Sequence, residues 1–248
     1  MKNVPFLALL LLSSSVCQAG QTLDQANISY IQNDVSVADV KILNTGAGET
    51  KKTAATLNQT VTRDNAVITG DKSRVELKFN DGSVARLGQF SVFSFKEGTR
   101  DVQLKQGSVL LNVPKGMGQT NIKAAAVTAA ITGTTVLFQA YENYAAIYVY
   151  EGSVSVPPNF VLGPGDALIF ENGTYRVEKF DVKQAISTGA LFTKFVESPN
   201  NAPFTLDEIF KQIPPSGPDQ PGVDPRVDAV LNKIINTPPP KETYNNRD

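Results

Sequence analysis

The sequence predicts an all-β domain, sandwich or barrel-like, with short helices and a proline-rich tail behind it. Three observations predict it. From about Val35 to Phe180 the chain is dense in Val, Ile, Phe, Tyr and Thr and is broken every several residues by glycine-containing turns, the pattern of many short strands packed face to face. One segment inside this stretch reads as a hairpin with a defined register. From about Asp181 the apolar spacing changes to that of helices.

The first element is a targeting segment. Lys2 supplies a positive start, Val4 to Leu12 is an apolar run, and Ser13 to Ala19 is small and polar. Cys17 and Ala19 provide the small residues that a signal peptidase needs, so residues 1–19 are expected to be a signal peptide cleaved after Ala19. The apolar run is too short to span a bilayer as a helix. A buried helix is disfavoured by Pro5 and the absence of an amphipathic period, and a lipid anchor on Cys17 by Val16 before it. The expectation is export to the periplasm or secretion, with no membrane insertion of the mature chain. Cys17 is the single cysteine, so the mature chain would hold no disulfide and must be stabilised by burial. Cleavage takes the formal net charge from −1 to −2. That balance excludes the clustered basic surface of a nucleic-acid-binding protein.

Gln21 to Asp34 is polar and reads as a lead-in to a β domain over residues 35–180. Within that domain Val75–Phe79 and Ser83–Leu87 alternate cleanly around Asn80-Asp81-Gly82. A three-residue loop closed by Gly82 in the left-handed region fits this spacing. It sets Val75 opposite Leu87 and Leu77 opposite Ala85 on the buried face, with Glu76 opposite Arg86 on the wet face as a favourable cross-strand pair. The local shape recurs at Gly107, Gly152 and Gly173, each followed by Ser or Thr, and these are read as chain-reversing turns. At Glu151-Gly152 a two-residue turn would pair Val149 with Val154. Gly133-Thr134 is read as a close backbone approach between strands.

The extension over residues 181–213 shows helical spacing in Val182–Val196 and Thr205–Ile213, with Leu206, Ile209, Phe210 and Ile213 on one face. Thr205 is a suitable N-cap, followed by Asp207 and Glu208 in the first turn. Residues 214–248 read as a proline-rich linker, one short helix at Asp224–Ile235 and a tail expected to be disordered.

The ordered segments Ala66–Gly70, Leu77–Gly88, Val102–Val113, Ala126–Phe138 and Val149–Val156 together resemble the FecR-type domain, over about residues 35 to 170. That domain is named for the periplasmic part of regulators that sense iron-siderophore uptake. The resemblance implies a jelly-roll-like or β-sandwich fold and an extracytoplasmic setting. The iron-responsive regulators place a cytosolic anti-sigma segment and one membrane span before this domain, and this sequence shows a signal peptide instead. A stand-alone exported domain is therefore expected. Thr132 also stands where the family often has a basic residue before the Gly-Thr pair.

Catalytic chemistry is limited by inventory. Without His or mature Cys there is no Ser-His-Asp triad, Cys-His pair or usual zinc site. The serines after the turn glycines, Ser83, Ser108 and Ser153, are expected to bond nearby backbone. Asp71, Asp81, Glu151 and Asp166 are turn acids, and two of them across a cleft would be required for glycoside hydrolysis. No DxDxDG-like calcium loop and no GxxxxGK[ST] phosphate loop is present. No cofactor is expected. Tyr148 and Tyr150 point away from the face of Ile147 and Val149, so they are candidates for an exposed contact surface. The favoured alternative packs them beneath the C-terminal helices. The sequence thus predicts a non-enzymatic envelope module that binds a protein or glycan. A signalling accessory and a carboxylate-dependent carbohydrate-active enzyme are the alternatives.

Overall fold

The computed structural model describes residues 21–41, 51–96 and 98–211. The expected signal peptide, the linker, the 224–235 helix and the tail lie outside the described residues. The strands in chain order begin with β1 (Gln25–Gln32), β2 (Val35–Asp39), β3 (Lys52–Ala54), β4 (Thr60–Thr62) and β5 (Asn65–Thr69). They continue with β6 (Arg74–Phe79), β7 (Val84–Leu87), β8 (Val92–Phe95), β9 (Asp101–Asn112) and β10 (Thr120–Ala124). The last are β11 (Val127–Tyr141), β12 (Tyr144–Val156), β13 (Phe160–Leu162), β14 (Asp166–Glu171) and β15 (Thr174–Lys179). All join one 15-stranded sheet.

That sheet folds back on itself because its three long strands each serve two layers. The first half of β9 pairs with β10 through Asp101–Leu104 and with β8 through Val102–Gln106, whereas the second half pairs with β11 through Gly107–Asn112 and with β7 through Val109–Asn112. β11 pairs with β10 through Val127–Ile131 and with β9 through Thr135–Ala140. β12 pairs with β14 through Tyr144–Tyr148 and with β13 through Val154–Val156. One layer therefore reads β4-β1-β6-β7-β9-β11-β12-β14-β15, and the other β3-β2-β5-β8-β9-β10-β11-β12-β13. This is a β-sandwich whose corners are made by strands that switch layers.

The corners fall at Gly107, Gly133 and Gly152, with φ of +92°, +58° and +82°. An added Cβ would stand 2.4 Å from Ser91 Cα at Gly107 and 2.5 Å from the Gly133 carbonyl oxygen at Gly152. The close approach expected at Gly133-Thr134 is thus present. The reversals expected at Gly107 and Gly152 are not. The chain continues through both glycines, and Val149 pairs with Val136 while Val154 pairs with Ile131. A positive φ can close a turn or bend a long strand through a bulge, and here it bends the strand.

The other two glycines do reverse the chain. Gly82 (φ +85°) closes the three-residue loop, where Phe79 N–H donates to the Ser83 carbonyl at 2.9 Å. The register is the expected one, with Val75 opposite Leu87, Glu76 opposite Arg86 and Leu77 opposite Ala85. Asn172 and Gly173, both at positive φ, form the two-residue turn between β14 and β15. The lead-in differs from expectation: it forms β1, which pairs with both β6 and β4 and buries Ala26 and Ile28. Its outward Asn, Ser and Gln residues hide the short inward alternation.

Two apolar clusters result. The first fills the space between the layers, where Phe79 of β6 meets Phe95 of β8 edge-on at 5.1 Å. The second lies on the outer face of the β7-β9-β11-β12-β14 layer, beneath the C-terminal extension. That extension comprises α1 (Val182–Thr188), α2 (Ala190–Thr193), a 3-10 turn at Ala202–Phe204 and α3 (Leu206–Phe210). The single helix expected over Val182–Val196 is broken at Gly189, which is extended and caps both pieces. Thr205 caps α3 as expected, accepting from Glu208 N–H at 3.4 Å. Ile209 is buried and Leu206 packs beside it; the Phe210 side chain and Ile213 lie outside the described residues.

Candidate functional site

The β6–β7 hairpin is covered on both faces at Glu76 and Arg86, so the pair is not on a wet face. Both side chains are 0% exposed. Arg86 Nε donates to Glu76 Oε2 at 2.9 Å, and its two other nitrogens donate to the Leu191 carbonyl at 3.1 Å and Asn201 Oδ1 at 2.9 Å. Glu76 Oε1 accepts from Ser29 Oγ at 2.7 Å, Ser198 Oγ at 2.5 Å and Asn200 Nδ2 at 2.9 Å. The guanidinium also lies over the rings of Phe204, at 3.9 Å, and Phe195, at 4.7 Å. Burial alone would raise the Glu76 carboxyl. The hydrogen bonds from Ser198, Asn200, Ser29 and Arg86 outweigh it and hold the group below its ordinary value of 4.5. Burial likewise lowers Arg86, with Glu76 opposing the shift. The cluster is a fastener: every charge-bearing atom of a buried pair is occupied, by two hydrogen bonds within the sheet and four to residues 191–201.

Tyr148 and Tyr150 share this interface. They are 1% and 2% exposed, so the exposed contact surface is replaced by the packing alternative. Tyr150 meets Phe192 at 4.8 Å and Phe180 at 5.2 Å, and Tyr148 meets Phe180 at 5.5 Å. Burial raises both phenols, Tyr148 to about 12.

The turn acids have separate structural duties. Asp81 accepts from Ser83 N–H and Oγ, both at 2.8 Å, and from Arg100 at 2.6 Å. Arg100 also donates to Thr120 Oγ1 at 3.0 Å and to the Gln21 carbonyl. Asp81 therefore ties the β6–β7 turn to the start of β10 and to the strand lead-in. Glu151, raised by burial, accepts from Thr135 Oγ1 at 3.2 Å and lies 3.7 Å from Lys115. Asp166 accepts from Gly163 N–H at 2.8 Å and pairs with Lys179 at 2.5 Å, the local loop role expected of it. Asp71 stands in the exposed turn before β6. Thr134 is fully buried beside Gly133, and its hydroxyl makes no hydrogen bond. Among the described residues, no three His, Cys, Asp or Glu side chains group to hold a metal ion, and no helix is long and apolar enough to cross a membrane.

Among the described residues, the outer face of the other layer is uncovered and polar. A groove of about 680 Å³ crosses β8, β9, β10 and the start of β11, with Val40 and Arg63 at one wall. The strand registers order its floor. Ser94 pairs with Gln103, Gln103 with Lys123, and Lys123 with Thr128. Beside this row Asp101 pairs with Asn121, whose Nδ2 donates to Asp101 Oδ1 at 2.8 Å. The alternation of Val102/Leu104 inward and Gln103/Lys105 outward is visible in the sequence. The parallel pairing of β9 with β10, which assembles the row, is not.

Residues 65–155 match the family model described as FecR protein. This stretch is a FecR-type domain. It contains the β6–β7 hairpin, the three corner glycines and the groove floor. Two crystal structures of a candidate anti-sigma factor from Parabacteroides distasonis ATCC 8503 are similar to the chain. They are 18% and 17% identical with TM-scores of 0.44 and 0.45, and the matches cover 50% and 52% of this chain. The chain spans 65% and 64% of those proteins, less than two thirds of either. No curated protein matches the chain.

Proposed function

We propose that this protein is an exported, non-enzymatic binding module that serves envelope signalling through its FecR-type domain. The family match over residues 65–155 carries the reading. Export rests on the signal-peptide pattern of residues 1–19. The acids considered for catalysis fit this reading too, since Asp81, Glu151 and Asp166 are each engaged in holding a turn or corner. One layer of the sandwich is covered by the protein's own extension, which leaves the open polar layer as the face for a partner.

The test is photo-crosslinking in the native envelope, with a crosslinking residue placed in turn at Lys105, Thr128 and, as a covered-side control, Glu197. A discrete protein adduct from the open-face positions, absent from the control, is expected. Absence of any adduct, together with hydrolysis of envelope glycans by the purified protein, would replace the binding reading with the enzymatic one.

A further inference from the structure

We infer that the groove across β8–β11 is a binding site for a linear glycan bearing carboxylates, such as a uronate-containing oligosaccharide. This goes beyond the signalling role and does not depend on it. The inference starts from the row Ser94, Gln103, Lys123 and Thr128, one outward side chain from each of four adjacent strands. Neighbouring strands are about 4.8 Å apart, so the row places a hydroxyl, an amide, an ammonium and a second hydroxyl along about 14 Å. Lys96 adds a second cation at the β8 end of the groove.

These groups are available. Lys96, Lys123 and Thr128 are exposed, Ser94 and Gln103 half-buried. Among the described residues, the side chains of Lys96, Gln103 and Lys123 have no hydrogen bond or ion pair within the protein, whereas the one acid of the floor, Asp101, is engaged by Asn121. The lining cations Lys96 and Lys123 outnumber the one floor carboxylate, Asp101, so the balance of charge among the described lining residues is positive, and it is interleaved with neutral donors and acceptors. That mixture fits a chain in which carboxylates alternate with hydroxyls. A uniformly acidic peptide carries a carboxylate on every residue, about 3.3 Å apart along an extended chain, more negative charge than Lys96 and Lys123 can pair beside Asp101. A strand-adding peptide is also excluded at the floor, because β8, β9 and β10 are each paired on both sides. The volume lies in the range of small-ligand sites, roughly 300–1,000 Å³.

The experiment is calorimetric titration of the full chain with an oligogalacturonate, its methyl ester and an oligoglutamate of matched length. Binding is expected for the oligogalacturonate and weaker binding for both controls. Lys123→Ala and Gln103→Ala should each weaken it by about tenfold, as for loss of one charge-assisted or specific hydrogen bond. Both side chains point to solvent, and an unchanged melting temperature shows that each variant is folded. Equal affinity for the methyl ester, equal or tighter binding of oligoglutamate, or no change in the Gln103→Ala variant would overturn the inference. So would no heat with oligogalacturonate at millimolar concentration. A crosslinked protein partner with no glycan binding would sink this site while leaving the signalling module intact.

Discussion

At the scale of single residues, Glu76 and Arg86 carry the most consequence. Removing one member of a buried pair strands the other, at a cost of about 3–5 kcal/mol, while replacing both with apolar residues of similar volume is often neutral. Arg86→Ala is therefore expected to destabilise the protein by that amount in urea unfolding. The double variant Glu76→Leu/Arg86→Met should recover most of the loss. Acid acts on the same pair. The folded-state value of Glu76 lies below its ordinary 4.5. Its contribution is present above the unfolded value and is lost as pH falls through the folded one. The C-terminal extension should therefore loosen only as pH falls well below the ordinary carboxyl value of 4.5, seen as faster amide exchange at residues 191–204, and Glu76→Gln should remove that pH dependence. The pairing of these two residues was legible, because alternation and turn length fix the register. Their burial was not. It depends on Ser198, Asn200 and Asn201, more than a hundred positions later, in a segment whose composition reads as an ordinary polar loop.

The elements divide according to what each glycine does. Gly82 and Gly173 close turns between antiparallel neighbours, and the residues around them announce it. Gly107, Gly133 and Gly152 sit in nearly the same local sequence but bend strands from one layer to the other. The difference lies in partners: β9 exchanges β8 and β10 for β7 and β11 at Gly107, and no local pattern encodes that exchange. The two kinds of site should respond differently to a Cβ. Gly173→Ala meets no atom within 4 Å, so only the positive φ is strained and the loss should be about 1 kcal/mol. Gly152→Ala must also push its Cβ away from the Gly133 carbonyl and Thr134. A larger loss, about 3 kcal/mol or more, is expected there from the unfolding midpoint. Equal losses at the two positions would argue against a corner at Gly152. The polar row of the groove has the same kind of origin, since its members are aligned by the parallel pairing of β9 with β10, which no local pattern encodes.

For the whole molecule, the fold gives its two faces different fates. One face is sealed by the extension through an aromatic cluster and a buried ion pair, and the other is polar and uncovered among the described residues. The all-β class, the helical extension and the direction of Tyr148 and Tyr150 could all be read from periodicity. The sandwich's switching strands and the charged fastener could not, because both depend on long-range pairing. The account rests most heavily on the sealing of the first face, and a chain ending at Phe180 tests it directly in urea unfolding. Removal uncovers Leu110, Tyr148, Tyr150 and Ile169 and leaves Glu76 and Arg86 without their outer partners. Burying one large apolar side chain contributes about 1.5–3 kcal/mol. The account predicts a loss of about 5 kcal/mol or more, with aggregation or binding of a hydrophobic dye. A truncated chain as soluble and as stable as the full protein would contradict it.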